Sequence, residues 1–367
     1  MFGPKAYIHT KRFEKNLKII QEYIGNRNLM LVVKANAYGH GSLEISSLII
    51  NKPWLFLCVF TIQEAIQLRS FGIKNKILVL SRIEIDWLEQ AVKLGLSVNI
   101  SNLNDFKTIS KFYNKTNTCP LFHLKFDTGM TRLGSDKSNI EEVLDFLSKN
   151  KNLPMEGVYS HFATADEGDL GYAVSQLKKF NYILKKIKQK KNDIPYIHCS
   201  NSGAILNLPK SYFNTVRVGM LVYGVLPSEE VSMKIKLEPV MSFCGSIVNI
   251  RRVKSGTKVS YGGVYETKSE TNIAVVQTGF ADGFPRDWYR DGYVSYKGDY
   301  YKIAGRVCMD QLMVNFGSIY PKEGEEVLFF GKKDKNNIPI EKIAKSIETT
   351  TYVLLTCIRG RTERIII

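Results

Sequence analysis

The sequence predicts a parallel (β/α)8 barrel of the TIM type followed by a mostly β C-terminal domain, and three observations carry that expectation. Between about residues 29 and 230, short apolar runs alternate with longer amphipathic segments, the pattern of strand–helix units around a parallel sheet. Roughly eight such units fit there, and no G-x-G-x-x-G marks the switch point that an open doubly wound sheet would use to bind phosphate. After about residue 235 the texture changes to strand-like runs separated by turn residues. A chain of 367 residues suits one large domain and a smaller one. The expected boundaries are 9–232 for the barrel and 233–367, with residues 1–8, for the β domain.

Taken in order, the barrel strands are expected at 29–33, 55–60, 77–80, 97–100, 121–126, 155–160, 196–199 and 215–218. Helical periodicity follows most of them, as at 61–71, 84–93, 139–149 and 172–188, where apolar residues recur three and four apart. In the second domain strands are expected at 240–253, 272–278, 293–296, 300–304, 313–316 and 326–330. Gly298-Asp299 stands between two alternating runs as a hairpin turn, and one short helix falls near 340–348. The residues before about 9 are candidates to pair with this domain.

Composition narrows the function classes. With 44% hydrophobic and 23% charged residues the chain reads as an ordinary globular protein. Its longest apolar run, 54–60, is far short of the roughly 20 residues that span a bilayer, so no membrane association is expected. The start, MFGPKAYIHT, has no apolar signal-peptide core, and the expected location is the cytoplasm. Cysteines at 58, 119, 199, 244, 308 and 357 form no C-x-x-C pair, and the five histidines give no H-E-x-x-H. Reduced thiols and no metal site are expected. The net charge of +16 is carried in part by helices such as 177–187, whose lysines lie opposite the apolar face. That is a solvated surface rather than a nucleic-acid footprint.

A barrel works at the C-terminal ends of its strands. Lys34 ends the first apolar run, Lys125 and Arg132 surround the end of the fifth, and His161 ends the sixth. Asn201 and Ser202 follow the seventh; Arg217 and Gly219 close the eighth. Lys34 alone reads better as an ammonium snorkelling to water. Partly desolvated, however, a lysine loses its proton more readily and condenses with a carbonyl. Tyr38 lies four residues on, within reach of an anion over the same strand end. A serine hydroxyl at 202 and backbone amides after Gly219 suit a phosphate, although singly they also read as an N-cap serine and a turn glycine. Tyr261 and Tyr265 read alone as strand aromatics around Gly-Gly, and His40 and His198 as local hydrogen-bonding residues.

Their co-occurrence decides. KANAYGHG at 34–41, LKFDTGMTRLG at 124–134, YSHFATAD at 159–166, SNSGA at 200–204, RVGMLVYG at 217–224, VSYGGVY at 259–265, GFADGFPR at 279–286 and GRVCMDQ at 305–311 run in order along nearly the whole chain. With these motifs it resembles the alanine racemases, pyridoxal 5'-phosphate (PLP) enzymes with a barrel and a β domain. The resemblance implies an isomerase that interconverts L- and D-alanine, as a homodimer, in support of peptidoglycan synthesis. It implies that Lys34 carries PLP and acts as one base, with Tyr261, from the partner subunit, as the other. Tyr38, Asn201, Ser202, Gly219, Met220 and Tyr352 would hold the cofactor's phosphate end, Arg217 would face the pyridine nitrogen, and His161 would lie beside the ring. Arg132 and the Met309 amide would bind the substrate carboxylate. Asp166, Arg286 and Arg306 would line the entrance, and Lys125 matches a lysine that some members carbamylate. A free phenol titrates near 10, so a tyrosine base needs cations nearby. His161 and Arg217, linked by hydrogen bonds, are the expected source.

Three positions depart from the family pattern: Phe280 stands for a usual tyrosine, Thr131 for a glycine and Val218 for a proline. A racemase of another small amino acid such as serine, a PLP decarboxylase of the same layout and a non-catalytic PLP-binding protein are the alternatives. An arginine at the pyridine nitrogen speaks against the decarboxylase, and the second domain against the binding protein.

Overall fold

Short runs of Val, Ile, Leu and Met have two faces to bury, and in the computed structural model they bury both by closing a barrel under a layer of helices. The structure describes residues 2–136, 138–228, 230–231 and 235–367. After β1 (Pro4–Ile8) and the helix Thr10–Ile24 come β2 (Asn28–Val32), β3 (Phe56–Val59), β4 (Ile77–Arg82) and β5 (Ser97–Ile100). They continue with β6 (Leu121–Lys125), β7 (Met155–Tyr159), β8 (Tyr196–His198) and β9 (Thr215–Val218). Strands β2 to β9 pair in chain order, and β9 returns to β2 with Asn28 opposite Thr215 and Leu31 opposite Val218. The strand ends differ from the expected ones by one or two residues. The helices Ile62–Ser70, Leu88–Lys93, Ile140–Lys149 and Gly171–Lys188 stand where the periodicity put them. In the last, Phe180, Ile183, Leu184 and Ile187 are buried while Lys178, Lys179 and Lys185 face out.

The second domain is organised by one long strand, β10 (Met241–Val253). Its first half pairs antiparallel with β1, which also takes the C-terminal Glu363–Ile366 alongside in parallel. Its second half pairs with Thr271–Val276, and a third partner is Glu326–Lys333. Register shifts at 243–244 and 247–249 bend the strand so that these pairings close the sheet on itself. Two expectations need correcting here. Tyr296 pairs with Asp299, so the hairpin turn is Lys297-Gly298 rather than Gly298-Asp299. A type I′ turn, whose twist matches that of the strands, needs positive φ at both central residues, and these have φ of 54° and 99°. There are also two late helices, Ile340–Ser346 and Thr351–Thr356, not one. The second starts at its own cap, the Thr350 hydroxyl accepting from the Val353 amide.

The expected domain limit at 232–233 lies outside the described residues. What ties the two parts is visible on either side of it. Asn16, fully buried on the first helix, donates to the carbonyls of Val222 (3.1 Å) and Glu238 (2.8 Å) and accepts from the Glu238 amide (3.0 Å). No helix among the described residues is long and apolar enough to cross a membrane, and all six cysteines are free. Removing the Asn16 amide takes a partner from three backbone groups, one buried at Val222 and two partly buried at Glu238. Asn16→Ala should therefore lower stability by about 2–3 kcal/mol, read as a lower urea midpoint; an unchanged midpoint would show that the joint is held elsewhere.

Candidate active site

Strand β2 ends at Val32, and Lys34 opens an unusual turn. Ala35, Asn36, Ala37 and Tyr38 have φ of 51°, 54°, 52° and 52°, one full left-handed turn built from residues with side chains. Such a conformation costs about 1–2 kcal/mol per residue, so the surroundings must hold it. Glu64 accepts from the Ala35 amide at 2.7 Å while capping its own helix through the amides of Phe60 and Thr61. Asn36 accepts from the Ser42 amide at 2.8 Å, and Gly39 at φ 80° ends the turn. A Cβ at Gly39 would sit 2.0 Å from the Leu355 carbonyl oxygen, and Arg364 donates to the Gly39 carbonyl at 2.9 Å.

The turn carries Tyr38 to the mouth of β9. There a Cβ at Gly219 would lie 2.8 Å from the Tyr38 hydroxyl, and the Gly219 amide donates to the Ser202 hydroxyl at 3.1 Å. Asn201 accepts from the Ala204 amide and so caps the short helix that Ser202 opens. The Tyr352 ring packs 6.0 Å from that of Tyr38.

Alternation along β9 turns Arg217 into the barrel, where it is buried. Its Nη1 donates to His198 Nδ1 (2.6 Å), and its Nη2 donates to the Ser160 carbonyl (2.9 Å) and His161 Nδ1 (3.0 Å). Because a guanidinium only donates, His161 Nδ1 is an acceptor and the ring's proton belongs on Nε2. The hydrogen bond expected between Arg217 and His161 is present, but His161 is not a cation. Burial first, and then Arg217, Arg132, Lys125 and Lys34, push it well below the usual histidine range. The same crowding acts on the lysines. Burial and then Arg132 lower Lys34, whose Nζ lies 5.8 Å from the Phe60 ring centre. Burial, Arg132 and Arg217 bring Lys125 down to about 8.

Arg132 is presented by a loop that Asp127 organises, accepting from the amides of Gly129 (2.7 Å) and Arg132 (2.9 Å). Thr131 within it is held at φ 54°, a strained place for a β-branched residue and the reason a glycine is usual there. Lys34, Tyr38, Lys125, Arg132, His161 and Arg217 line one cavity of about 680 Å³, with Asp166, Asn201, Met220 and Tyr352 on its wall. Burial raises the Asp166 carboxyl. Four basic side chains against Glu64 and Asp166 make it a receptor for an anion.

Four expected residues lie apart from this cavity. Tyr261 (70% exposed) and Met309 (56% exposed) line an open hollow of the β domain with Ser260 and Gln311. Arg306 borders it, its carbonyl accepting from the Ser260 hydroxyl at 2.6 Å. The Arg286 guanidinium stands 5.7 Å over the Phe280 ring. Sequence reasoning missed Glu64 and Asp127. For Glu64 the signal was T-x-x-E at 61–64, a capping box before an apolar run.

The family model described as alanine racemase, N-terminal domain, matches residues 8–227, and the one described as alanine racemase, C-terminal domain, matches 240–366. The chain belongs to the alanine racemase family. Its reaction is the interconversion of L- and D-alanine. An alanine racemase of Desulforamulus reducens is 36% identical over 367 residues, covering 99% of this chain and 98% of that one. Among solved structures, the alanine racemase of Clostridium difficile 630 superposes with a TM-score of 0.92 at 32% identity, covering 100% of this chain and 96% of that one. That of Bacillus anthracis with bound L-Ala-P gives 0.91 at 30%, covering 100% and 95%.

A lysine lowered to about 8 has a free-amine fraction that rises with pH through that value rather than through 10.5. Acylation of Lys125 in the apoprotein should therefore follow a midpoint near 8. Arg132→Gln, which removes the neighbouring cation of largest effect, should move that midpoint up; peptide mass mapping across pH reads both, and an unmoved midpoint would leave burial and Arg217 as the causes.

Proposed function

We propose that the racemisation runs on PLP held in the barrel cavity, with two bases on opposite faces of the substrate, Lys34 and the partner subunit's Tyr261. The observation that carries this reading is the lysine at the strand end whose charge is disfavoured by burial and by Arg132. The residues present fit the cofactor. A lysine suited to condense with an aldehyde faces a cradle of Tyr38, Ser202 and Gly219, where any Cβ at 219 would fill the space a phosphate needs. PLP, when bound, draws electrons from the alanine Cα and so acidifies its C–H bond.

The chain's own residues do the rest. Both Nη nitrogens of Arg217 are occupied by protein acceptors, which leaves its Nε–H for the pyridine nitrogen. A guanidinium would donate there without yielding its proton, so that nitrogen would stay unprotonated. Arg132 receives the substrate carboxylate, aided by the amide of the partner subunit's Met309. Asn201, Met220 and Tyr352 would hold the phosphate end, and His161 would offer a neutral donor beside the ring. Asp166, Arg286 and Arg306 line the way in. Lys34 Nζ takes the Cα proton on one face, and Tyr261 Oη of the partner subunit returns one on the other. A single base would mostly return the proton to its original side.

Tyr261 stands exposed and away from the cavity of its own chain, which supports a homodimer with sites between subunits. Residues 9–232 then form the PLP domain, and 233–367 with 1–8 the domain that supplies the second base. D-alanine made this way in the cytoplasm serves peptidoglycan.

The first test is D-alanine formation from L-alanine by PLP-loaded protein; none formed, with cofactor bound, would sink the substrate assignment. Tyr261→Phe should abolish racemisation and leave the absorbance of the bound cofactor unchanged. Mixing inactive Tyr261→Phe and Lys34→Ala proteins should restore about a quarter of the activity. Half of randomly re-formed dimers are mixed, and each of those has one whole site. No recovery on mixing would refute the shared site.

A further inference from the structure

Below the cavity, the barrel interior holds a polar file of which the reaction as described uses only the upper end, Arg217. Arg217 Nη1 donates to His198 Nδ1 at 2.6 Å, His198 Nε2 meets His123 Nδ1 at 2.8 Å, and His123 Nε2 meets Glu156 Oε2 at 3.3 Å. Glu156 also accepts from the Ser97 hydroxyl at 2.7 Å and from Lys76 at 2.5 Å. Lys76 immediately precedes β4, so the file runs from the N-terminal rim of the barrel to its catalytic end. His123 and His198 are fully buried, and Glu156 and Arg217 nearly so.

The two ends allow one proton arrangement. A guanidinium only donates and a carboxylate only accepts. His198 Nδ1 must therefore be a lone pair, its proton on Nε2; His123 Nδ1 must accept that proton and carry its own on Nε2, aimed at Glu156. Any reversal sets donor against donor at Arg217 and lone pair against carboxylate at Glu156. An imidazolium in the middle is disfavoured, because burial and Arg217 push His198 well below its usual range. Burial alone would raise the Glu156 carboxyl, but His123, Lys76 and Ser97 outweigh it and hold it down at about 2.

The backbone is shaped for this contact. Pairing of β6 with β7 jumps from Phe122–Met155 to His123–Gly157, so Glu156 is the extra residue of a bulge, a device that re-aims a side chain. A Cβ at Gly157 would lie 2.2 Å from His123 Nδ1, the nitrogen that meets His198.

We propose that Glu156 is a positioning residue for the racemisation: from the far end of the barrel it sets which ring nitrogens of His123 and His198 carry protons, and so holds the Arg217 guanidinium in place. This rests on the reading that puts Arg217 beside the cofactor.

The test uses the PLP-loaded enzyme with nitrogen-labelled histidine. Ring-nitrogen NMR of the unmodified protein should show His123 and His198 protonated on Nε2 alone; a proton on Nδ1 of either overturns the proposal without any variant. In Glu156→Gln the side-chain amide can turn its NH2 toward His123. A population with the opposite tautomers should then appear, and kcat should fall about ten-fold, the scale on which outer partners of site histidines act. KM for alanine and the bound PLP per subunit should stay unchanged. A folded, fully loaded Glu156→Gln enzyme with wild-type kcat refutes the role, and so does a fall in kcat matched by loss of folded protein with the tautomers intact. The ring-nitrogen pattern is read without substrate, so it stands or falls apart from the two-base reading, which the mixing experiment judges.

Discussion

A guanidinium sealed inside a barrel has to be solvated by the barrel itself, and much of this structure is arranged around that demand at Arg217. Among the described residues no carboxylate touches it. Its charge is instead met by the Ser160 carbonyl and the imidazoles of His198 and His161, all at 3.0 Å or less. Such partners satisfy the donors without neutralising the ion, so the positive field remains and acts on the rest of the cavity. It contributes to keeping His161 neutral and to lowering Lys34 and Lys125. One buried cation thus helps to make its neighbours bases, at an end of the barrel that also has to receive an anion.

The second constraint is conformational. Four consecutive left-handed residues after Lys34 are expensive, and strain of this kind persists only where the surroundings over-determine it. Here Glu64 from the next strand–helix unit, Asn36 within the turn and Arg364 from the last strand all grip it. The strain sets the short path from Lys34 to Tyr38, which an ordinary right-handed turn would direct elsewhere.

Much of this was legible in the sequence because it follows from periodicity. Uninterrupted apolar runs gave the barrel strands, and the rule that barrels act at strand ends singled out Lys34, His161, Ser202 and Arg217. The hairpin was misplaced by one residue, since Lys297 gives no sign that it accepts positive φ. His161 was taken for a cation because its charge is set by burial and then by four basic side chains from elsewhere in the barrel, which no local pattern reveals. His198 looked like a local hydrogen-bonding residue, and its partners are indeed close, but they lie 19 and 75 positions away in the chain. Glu156 gave no signal, because a bulge that turns a side chain inward is invisible to a two-residue alternation.

The contact between Gly39 and Leu355 has a consequence for ancestry. The loop that follows Lys34 rests against a carbonyl of the late helix with no room for a single carbon atom. The seam between the two domains is drawn through the turn at the mouth of the cavity rather than around it. A recombination event that exchanged one domain for a relative's would change the height of that carbonyl under a turn already near its steric limit. Barrel and β domain are therefore bound to descend together, and drift at their junction is confined to paired changes.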